Sequence, residues 1–451
     1  MRRAAVIIVT VFLLEVLSLP VNNEQHWKAF EDWWKKGVEV ESVRLGDRWT
    51  DQLRPGVFAT RDIEPRSDPK PVRNDKTGSL KLFKMAKIEV VQMADDIFNR
   101  YTNDKENDPG YYILLSVYIL YERFHNPNSH WKPWFDVLPA LSDMNNLLTW
   151  KFSDLKELSG SPLYQRARDR RSEVTDHYRW LEDNIFTEYY KLFQYKPSAD
   201  EYKWAVSIVR SRNMMILVDN IIQYVITPYY DMFRHAPQDI DQGYYIFNPI
   251  TRHLEITSRR SYSEGDEVFA FWGEKCNSEL LDFYSFILKD NLFDCVHITN
   301  FVLPEGDPLY KQKRILFERS QTSYAKLKAT KEGVSHELIR VLRAMTIGEE
   351  ELTTTLMVTG VDDEPMSSRS QGAIYDSLAE ICRGALRDYP TTMEEDEEIL
   401  RGELSPRKRM AVQVRYDEKK ILFSTGVKAM REAQRWADIY KKEMQTNKDE
   451  L

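Results

Sequence analysis

Cysteine is scarce in this chain of 451 residues: Cys276, Cys295 and Cys382 are all there are. Three are too few for a disulfide framework, and an odd number leaves one unpaired within a monomer. No C-x-x-C pair exists, which argues against a structural zinc site and against a disulfide-exchange role, and no metal ligands are expected. The sequence also lacks any N-x-[ST] acceptor, so its fold does not depend on N-glycosylation. A basic excess is missing too. Lys and Arg number 63 against 71 Asp and Glu, net charge -8, with both signs interspersed, so nucleic acid is not an expected partner. After the first twenty residues no stretch reads as a membrane-spanning helix, and no internal repeat or low-complexity segment is evident.

What is present suffices for two or three domains with substantial cores, at 42% hydrophobic and 12% aromatic residues. Arg2 and Arg3 precede an apolar run from Ala4 to Leu14, and Leu17-Ser18-Leu19-Pro20 follows, as in a secretory signal peptide over 1–20. Residues 448–451 are Lys-Asp-Glu-Leu, the endoplasmic-reticulum retrieval signal. The two ends agree. The expectation is a mature protein in the reticulum lumen, without a membrane span and bound by the retrieval receptor.

The most informative stretch runs from Tyr262 to Phe286. Glu264-Gly265-Asp266 reads as a turn, because Gly accepts positive φ and Asp bonds its own backbone. Val268 to Trp272 reads as a buried strand, apolar on both faces, which Gly273 ends. Asn277-Ser278 then caps a short helix carrying Leu280, Leu281 and Tyr284. Upstream, Trp27, Phe30, Trp33 and Trp34 fall at helical spacing between His26 and Lys36. Residues from about Leu80 to Glu201 read as mainly helical, with an apolar helix from Tyr111 to Leu120. The runs Gly243 to Phe247 and His253 to Ile256 alternate as paired strands. Beyond Asp294 the chain is helical again, and Thr392 with Glu395 makes a capping box.

In this order the elements resemble a SET domain of the Rubisco large-subunit methyltransferase branch. Gly265-Asp266-Glu267-Val268-Phe269 is similar to its G-[DE]-[EQ]-[VI]-[FY]. Cys276 to Leu281 is similar to S-N-x-E-L-L, and Tyr284-Ser285-Phe286 to Y-G-F. Arg54-Pro55-Gly56-Val57-Phe58-Ala59-Thr60 resembles the opening hairpin. Pro228 to His235 resembles P-x-x-D-M-x-N-H, and Trp204 to Arg212 resembles W-A-x-x-x-V-x-S-R. Glu122, Arg123, Ser129, Trp131 and Pro133 match the helical insertion, where Glu122 and His130 carry architecture rather than catalysis. Tyr389 to Leu400 and Arg415 to Leu422 match the C-terminal substrate-binding domain.

The resemblance implies an α+β fold, a β-rich SET core split by a helical insertion and followed by an all-helical domain. Its divisions are 25–80 and 204–294 for the core, 81–203 for the insertion and 295–440 for the substrate-binding domain. It implies S-adenosylmethionine as cofactor, held at Gly56, Ser211, Asp231, Arg234 and His235. Trp272 stands at the position of the catalytic tyrosine, and Tyr284 lines the channel. Three positions depart from the pattern: Arg54 replaces a glycine of the hairpin, Arg234 an asparagine and Trp272 the tyrosine. Guanidinium is cationic and donor-only, so facing an ammonium and a sulfonium Arg234 would repel them unless it swings out to solvent. Indole offers only an N–H donor where the tyrosine hydroxyl would orient an amine. Tyr244 or Tyr245 is a candidate partial substitute. Two readings follow: a luminal methyltransferase acting on lysine or histidine of a protein substrate, and a pseudoenzyme that binds a secretory-pathway client.

Overall fold

The computed structural model describes residues 24–35, 43–45, 57–60, 88–101, 109–218, 221–228, 230–235, 245–248, 253–256, 261–299, 301, 303, 305–319, 326–349, 351–352 and 366–449. The expectations for residues 1–20, Arg54, Gly56, Gly243, Tyr244 and the final two residues lie outside these. The chain divides into two units. One comprises Met1–Thr149, Arg168–Gly273 and Asp282–Phe286, and the other Trp150–Ala167, Glu274–Leu281 and Ile287–Leu451.

The first unit contains α1 (Glu24–Lys35), whose tryptophan-rich face buries Trp27 and Phe30. Strands β1 (Val43–Leu45) and β2 (Val57–Ala59) pair antiparallel, Val43 opposite Ala59. Helix α2 (Ile88–Tyr101) buries Met93 and Ile97. Helix α3 (Pro109–Phe124) is apolar nearly all round, and Ile113, Leu115, Val117, Ile119 and Leu120 are all buried, as such a pattern requires. At its end, buried Glu122 accepts hydrogen bonds from the Ser129 hydroxyl and, at 3.2 Å, from the Asn126 amide. The Arg123 guanidinium lies 4.1 Å from the Trp204 ring centre and donates to Phe135 O at 3.0 Å. Glu122, Arg123 and Ser129 of that motif thus each have a packing or bonding cause.

Helix α4 (Pro162–Leu181) is followed by α5 (Ala199–Arg212), which starts from a capping box between Ser198 and Glu201. Strands β3 (Asn213–Val218) and β4 (Ile221–Ile226) pair antiparallel, as do β5 (Tyr245–Asn248) and β6 (His253–Ile256). The turn at Glu264-Gly265-Asp266 forms as its residues dictate. Gly265 has φ +90°, and the Asp266 carboxylate accepts the Ser263 N–H at 2.8 Å.

Strand β7 (Glu267–Val268) completes the order β1-β2-β7, with Val57 opposite Val268. The strand expected from Val268 to Trp272 is shorter and less buried than its composition implies. Only Glu267 and Val268 pair with β2; Ala270 then bridges His235, and Phe269, Phe271 and Trp272 are half-buried. The run changes partner midway, so neither neighbour covers both of its faces.

Helix α6 (Asn277–Tyr284) begins one residue earlier than expected, with Cys276 as its cap: the Cys276 N–H donates to Glu279 at 2.9 Å. The Asn277 side chain instead bonds the backbone of Leu288 in both directions, at 2.9 and 3.0 Å.

In the second unit, β8 (Cys295–His297) pairs antiparallel with β9 (Lys328–Thr330). Helices α7 (Tyr310–Arg319), α8 (His336–Thr346), α9 (Ser368–Asp388), α10 (Met393–Arg401) and α11 (Pro406–Asp449) make up most of the rest. Leu338, Leu342, Leu378, Cys382, Ile421, Leu422 and Ala429 form its core. The expected capping box at Thr392 and Glu395 starts α10. Behind it, wholly buried Asp396 holds Arg415 at 2.7 Å and Lys419 at 2.7 Å, while the Tyr389 hydroxyl donates to Glu418 at 2.9 Å. One buried network joins the two C-terminal motifs. The α+β class stands.

Candidate active site

The candidate site lies in the first unit, where the chain before Ala236 meets the chain after Val268. Asp231 occupies a single 3₁₀ turn, Tyr230–Met232, and is buried. Its carboxylate accepts from Arg212 Nη1 at 2.9 Å and from the Trp134 indole N–H at 2.9 Å. Arg212 also donates to the Asp231 carbonyl at 3.0 Å. Burial pulls the Arg212 guanidinium below its usual value, and Asp231 offsets part of that loss. Asp231 is therefore a post that fixes the turn leading to Arg234 and His235. Ser211, expected at the cofactor, points its hydroxyl back along α5 to Ser207 O at 2.8 Å.

Arg234 does not turn out to solvent. Its Nε and Nη2 grip both carboxylate oxygens of Glu267, Nε at 2.5 Å, and its guanidinium lies 5.4 Å from the Phe269 ring centre. Side-chain exposures of 24% and 12% place the pair at the edge of the interior rather than in water. Bidentate geometry is what the guanidinium fork favours. A cation expected to be a liability has its counter-ion in the strand beside it.

His235 is buried at 2% exposure. The Ala270 N–H donates to Arg234 O at 2.9 Å, and His235 Nδ1 accepts from the Trp272 N–H at 3.3 Å. The rings then pack in sequence. His235 and Trp272 stack with centroids 5.2 Å apart and planes at 22°; Trp272 and Tyr284 are 4.7 Å apart at 33°. Phe271 lies parallel to His235 at 5.8 Å, and Phe286 meets Trp272 edge-on at 6.1 Å. Each such pair contributes about 0.5–1.5 kcal/mol beyond area burial.

Ser285 connects Tyr284 to Phe286 with φ +72°, a left-handed conformation that disfavours any Cβ. That backbone explains the glycine expected there, since glycine alone takes it without strain.

The structure thus brings His235, Trp272 and Tyr284 together, ties Asp231 to Arg212 and Trp134 and Ser211 to its own helix, and pairs Arg234 with Glu267. Gly56 lies outside the described residues. Sequence reasoning missed Glu267 as a partner. The signal was its place in the Gly265-Asp266-Glu267-Val268 motif, and the spacing of 33 residues from Arg234 concealed the pairing.

The α+β fold that carries this aromatic nest is similar to that of solved LSMT structures. The solved structure of the SET domain of LSMT bound to lysine and AdoHcy superposes with TM-score 0.70 at 21% identity, covering 91% of this chain and 92% of that one. Rubisco LSMT bound to AdoMet gives 0.67 at 20% identity, covering 91% and 93%. Residues 304–422 match the Rubisco LSMT substrate-binding family. Among curated proteins, the actin-histidine N-methyltransferase of Canis lupus familiaris is 27% identical over 74% of this chain. The same protein of Homo sapiens is 26% identical over an equal share. The match spans only 58% and 57% of the length of those relatives.

Proposed function

We propose that this chain is a SET-type protein methyltransferase of the endoplasmic-reticulum lumen that takes S-adenosylmethionine and acts on a protein side chain. The observation that carries the reading is the Arg234–Glu267 pair beside the stacked His235, Trp272 and Tyr284 rings. A lone guanidinium 4 Å from a sulfonium would repel it by about 4 kcal/mol at an effective dielectric constant near 20. Bound bidentately to a carboxylate, the pair carries no net charge, and most of that repulsion disappears. The residues present therefore fit a cationic cofactor. Aromatic faces attract alkylated cations by roughly 0.5–2 kcal/mol each, so Trp272 and Tyr284 favour a sulfonium and a lysine ammonium alike.

When bound, S-adenosylmethionine supplies an electrophilic methyl group. The protein's own part is positional. Asp231 and Arg212 hold the turn, Glu267 neutralises Arg234, and the rings exclude water around the acceptor. The relatives' names point to histidine or lysine as that acceptor.

A second reading, client binding without chemistry, is favoured by one observation. The indole of Trp272 has no oxygen that could orient an amine lone pair. Calorimetric titration of S-adenosylmethionine into the full-length protein separates the two. Saturable binding in the micromolar range, about -8 kcal/mol, followed by transfer of labelled methyl to a luminal protein, is the expected result. No heat from folded protein overturns the methyltransferase reading and leaves capture of a client.

The luminal site is supported by the two ends of the sequence and by the Cys276–Cys295 disulfide, a bond that persists in oxidising compartments. Met444 is exposed and precedes Gln445-Thr446, so Met444→Asn creates the acceptor that the sequence lacks. Glycosylation of that variant in cells is expected. Its absence, with the protein recovered from cytosol, would refute the placement.

A further inference from the structure

Cys276 and Cys295 form a disulfide in the second unit, with Cα atoms 5.0 Å apart and both side chains wholly buried. Two other chemistry-bearing groups of the same unit converge on it. Cys295 and His297 are alternate residues of β8 and so share one face of the strand. His297 is 2% exposed. Cys276 caps α6, and Glu279 lies one turn further on. One Glu279 oxygen accepts the Cys276 N–H at 2.9 Å, and the other stands 3.7 Å from His297 Nε2. The two sulfurs and a ring nitrogen of His297 all lie within 4.8 Å of one another.

A disulfide by itself needs neither a buried imidazole nor a carboxylate paired with it against the sulfurs. Two sulfurs, one imidazole nitrogen and one carboxylate oxygen are, however, a donor set that zinc accepts. Zinc–ligand bonds of about 2.0–2.3 Å place tetrahedral donors roughly 3.3–3.8 Å apart. The two sulfurs and the His297 nitrogen need a contraction of about 1 Å and a separation of the sulfurs, and the Glu279 carboxylate, 3.7 Å from His297 Nε2, stands next to these three donors.

We propose that reduction of the Cys276–Cys295 disulfide converts this corner into a tetrahedral zinc site, with Cys276 Sγ, Cys295 Sγ, His297 and the Glu279 carboxylate as ligands. The reductant is a dithiol. It donates two electrons and two protons, the S–S bond breaks to two thiols, and the dithiol closes to its own disulfide. Zinc then displaces the two thiol protons to solvent. Two thiolates and a carboxylate carry three negative charges against the two of the ion, and Lys275, which acts electrostatically on Glu279, offsets the remainder. The corner is then held by a covalent bond under oxidising conditions and by an ion under reducing ones.

The test uses the full-length protein reduced with a phosphine, which leaves no competing thiol, and titrated with Co2+. The expected result is uptake of one equivalent with the absorption of a tetrahedral thiolate-bound ion, displaced by Zn2+ and absent from oxidised protein. His297→Ala should weaken Co2+ binding about tenfold or more, equivalent to roughly 1.4 kcal/mol. Reoxidation should release the metal as the disulfide reforms. The proposal is overturned if reduced, folded protein shows no thiolate–cobalt band. It is equally overturned if the double variant Cys276→Ser, Cys295→Ser binds cobalt as well as the parent. Should reduction unfold the protein, Zn2+ must restore its far-ultraviolet dichroism, because metal binding and folding are then linked; failure to restore it counts against the site.

Discussion

The guanidinium of Arg234 closes a two-point ion pair on the carboxylate of Glu267, joining the Asp-Met-x-Arg-His turn to β7. The pair turns an apparent obstacle to a sulfonium into a neutral unit. Glu267→Gln removes the negative charge and should raise the Kd for S-adenosylmethionine about tenfold, roughly 1.4 kcal/mol. Arg234→Asn, which removes the cation, should leave the affinity equal or better. Calorimetric titration of both variants checks this; equal weakening by both would place the pair outside the cofactor's field.

Trp272 offers an N–H donor at its own position and no hydroxyl there. Trp272→Tyr keeps an aromatic ring between His235 and Tyr284 and supplies the oxygen. Positioned proton-handling groups contribute about 10²–10⁴-fold to rate. A gain in labelled-methyl transfer of at least the lower figure is expected, measured against a luminal protein extract. A variant that binds cofactor but transfers no more methyl than its parent would deny position 272 that role.

Ser285 holds φ +72° while buried at 5% exposure. Left-handed backbone costs a Cβ-bearing residue roughly 1–2 kcal/mol relative to glycine, and the larger unfolded entropy of glycine returns about 0.4–1 kcal/mol. Ser285→Gly should therefore stabilise the protein by up to about 1.6 kcal/mol in urea denaturation at unchanged slope. A loss of stability would show that the serine hydroxyl outweighs the strain.

Glu418 contributes to the pH dependence of the second unit. Burial pushes its carboxyl up to about 8, against hydrogen bonds from Ser161 and Tyr389 that pull it down. A carboxyl raised in the folded state binds more protons folded than unfolded between the unfolded value, about 4.3, and 8. Its stability contribution is full below the first value and is lost as pH rises through the second. The slope is at most about 1.4 kcal/mol per pH unit. Thermal unfolding should shift downward from pH 5.5 to 8.5, and Glu418→Gln should flatten much of the change. Asp294, raised to about 7 mainly by burial, keeps some slope in the same direction.

Local chemistry was legible and distant pairing was not. The turn at Gly265, the capping box at Thr392 and the helix rich in Trp27 and Phe30 each follow from residues a few positions apart, and each formed as read. The cap of α6 was misplaced by one residue because Asn277 found a partner in Leu288, eleven residues on. The strand through Trp272 was read too long because apolar composition does not disclose a change of partner at Ala270. The Arg234–Glu267 pair and the choice of Cys295 over Cys382 as mate for Cys276 both depend on tertiary geometry. Ser285 was half legible. Its motif named a glycine, but only the backbone angle gives the reason.

Just ahead of Ser161, Gly160 has φ +88°, and a methyl group there would come within 2.5 Å of the Tyr389 Cα. Ser161 and Tyr389 are the two residues whose hydroxyls serve Glu418. A side chain at position 160 would therefore register at a distance. It would pry both hydroxyls from one carboxyl and appear in the laboratory as an altered acid–base titration. A residue with no side chain of its own thus guards the setting of a carboxyl that burial has raised.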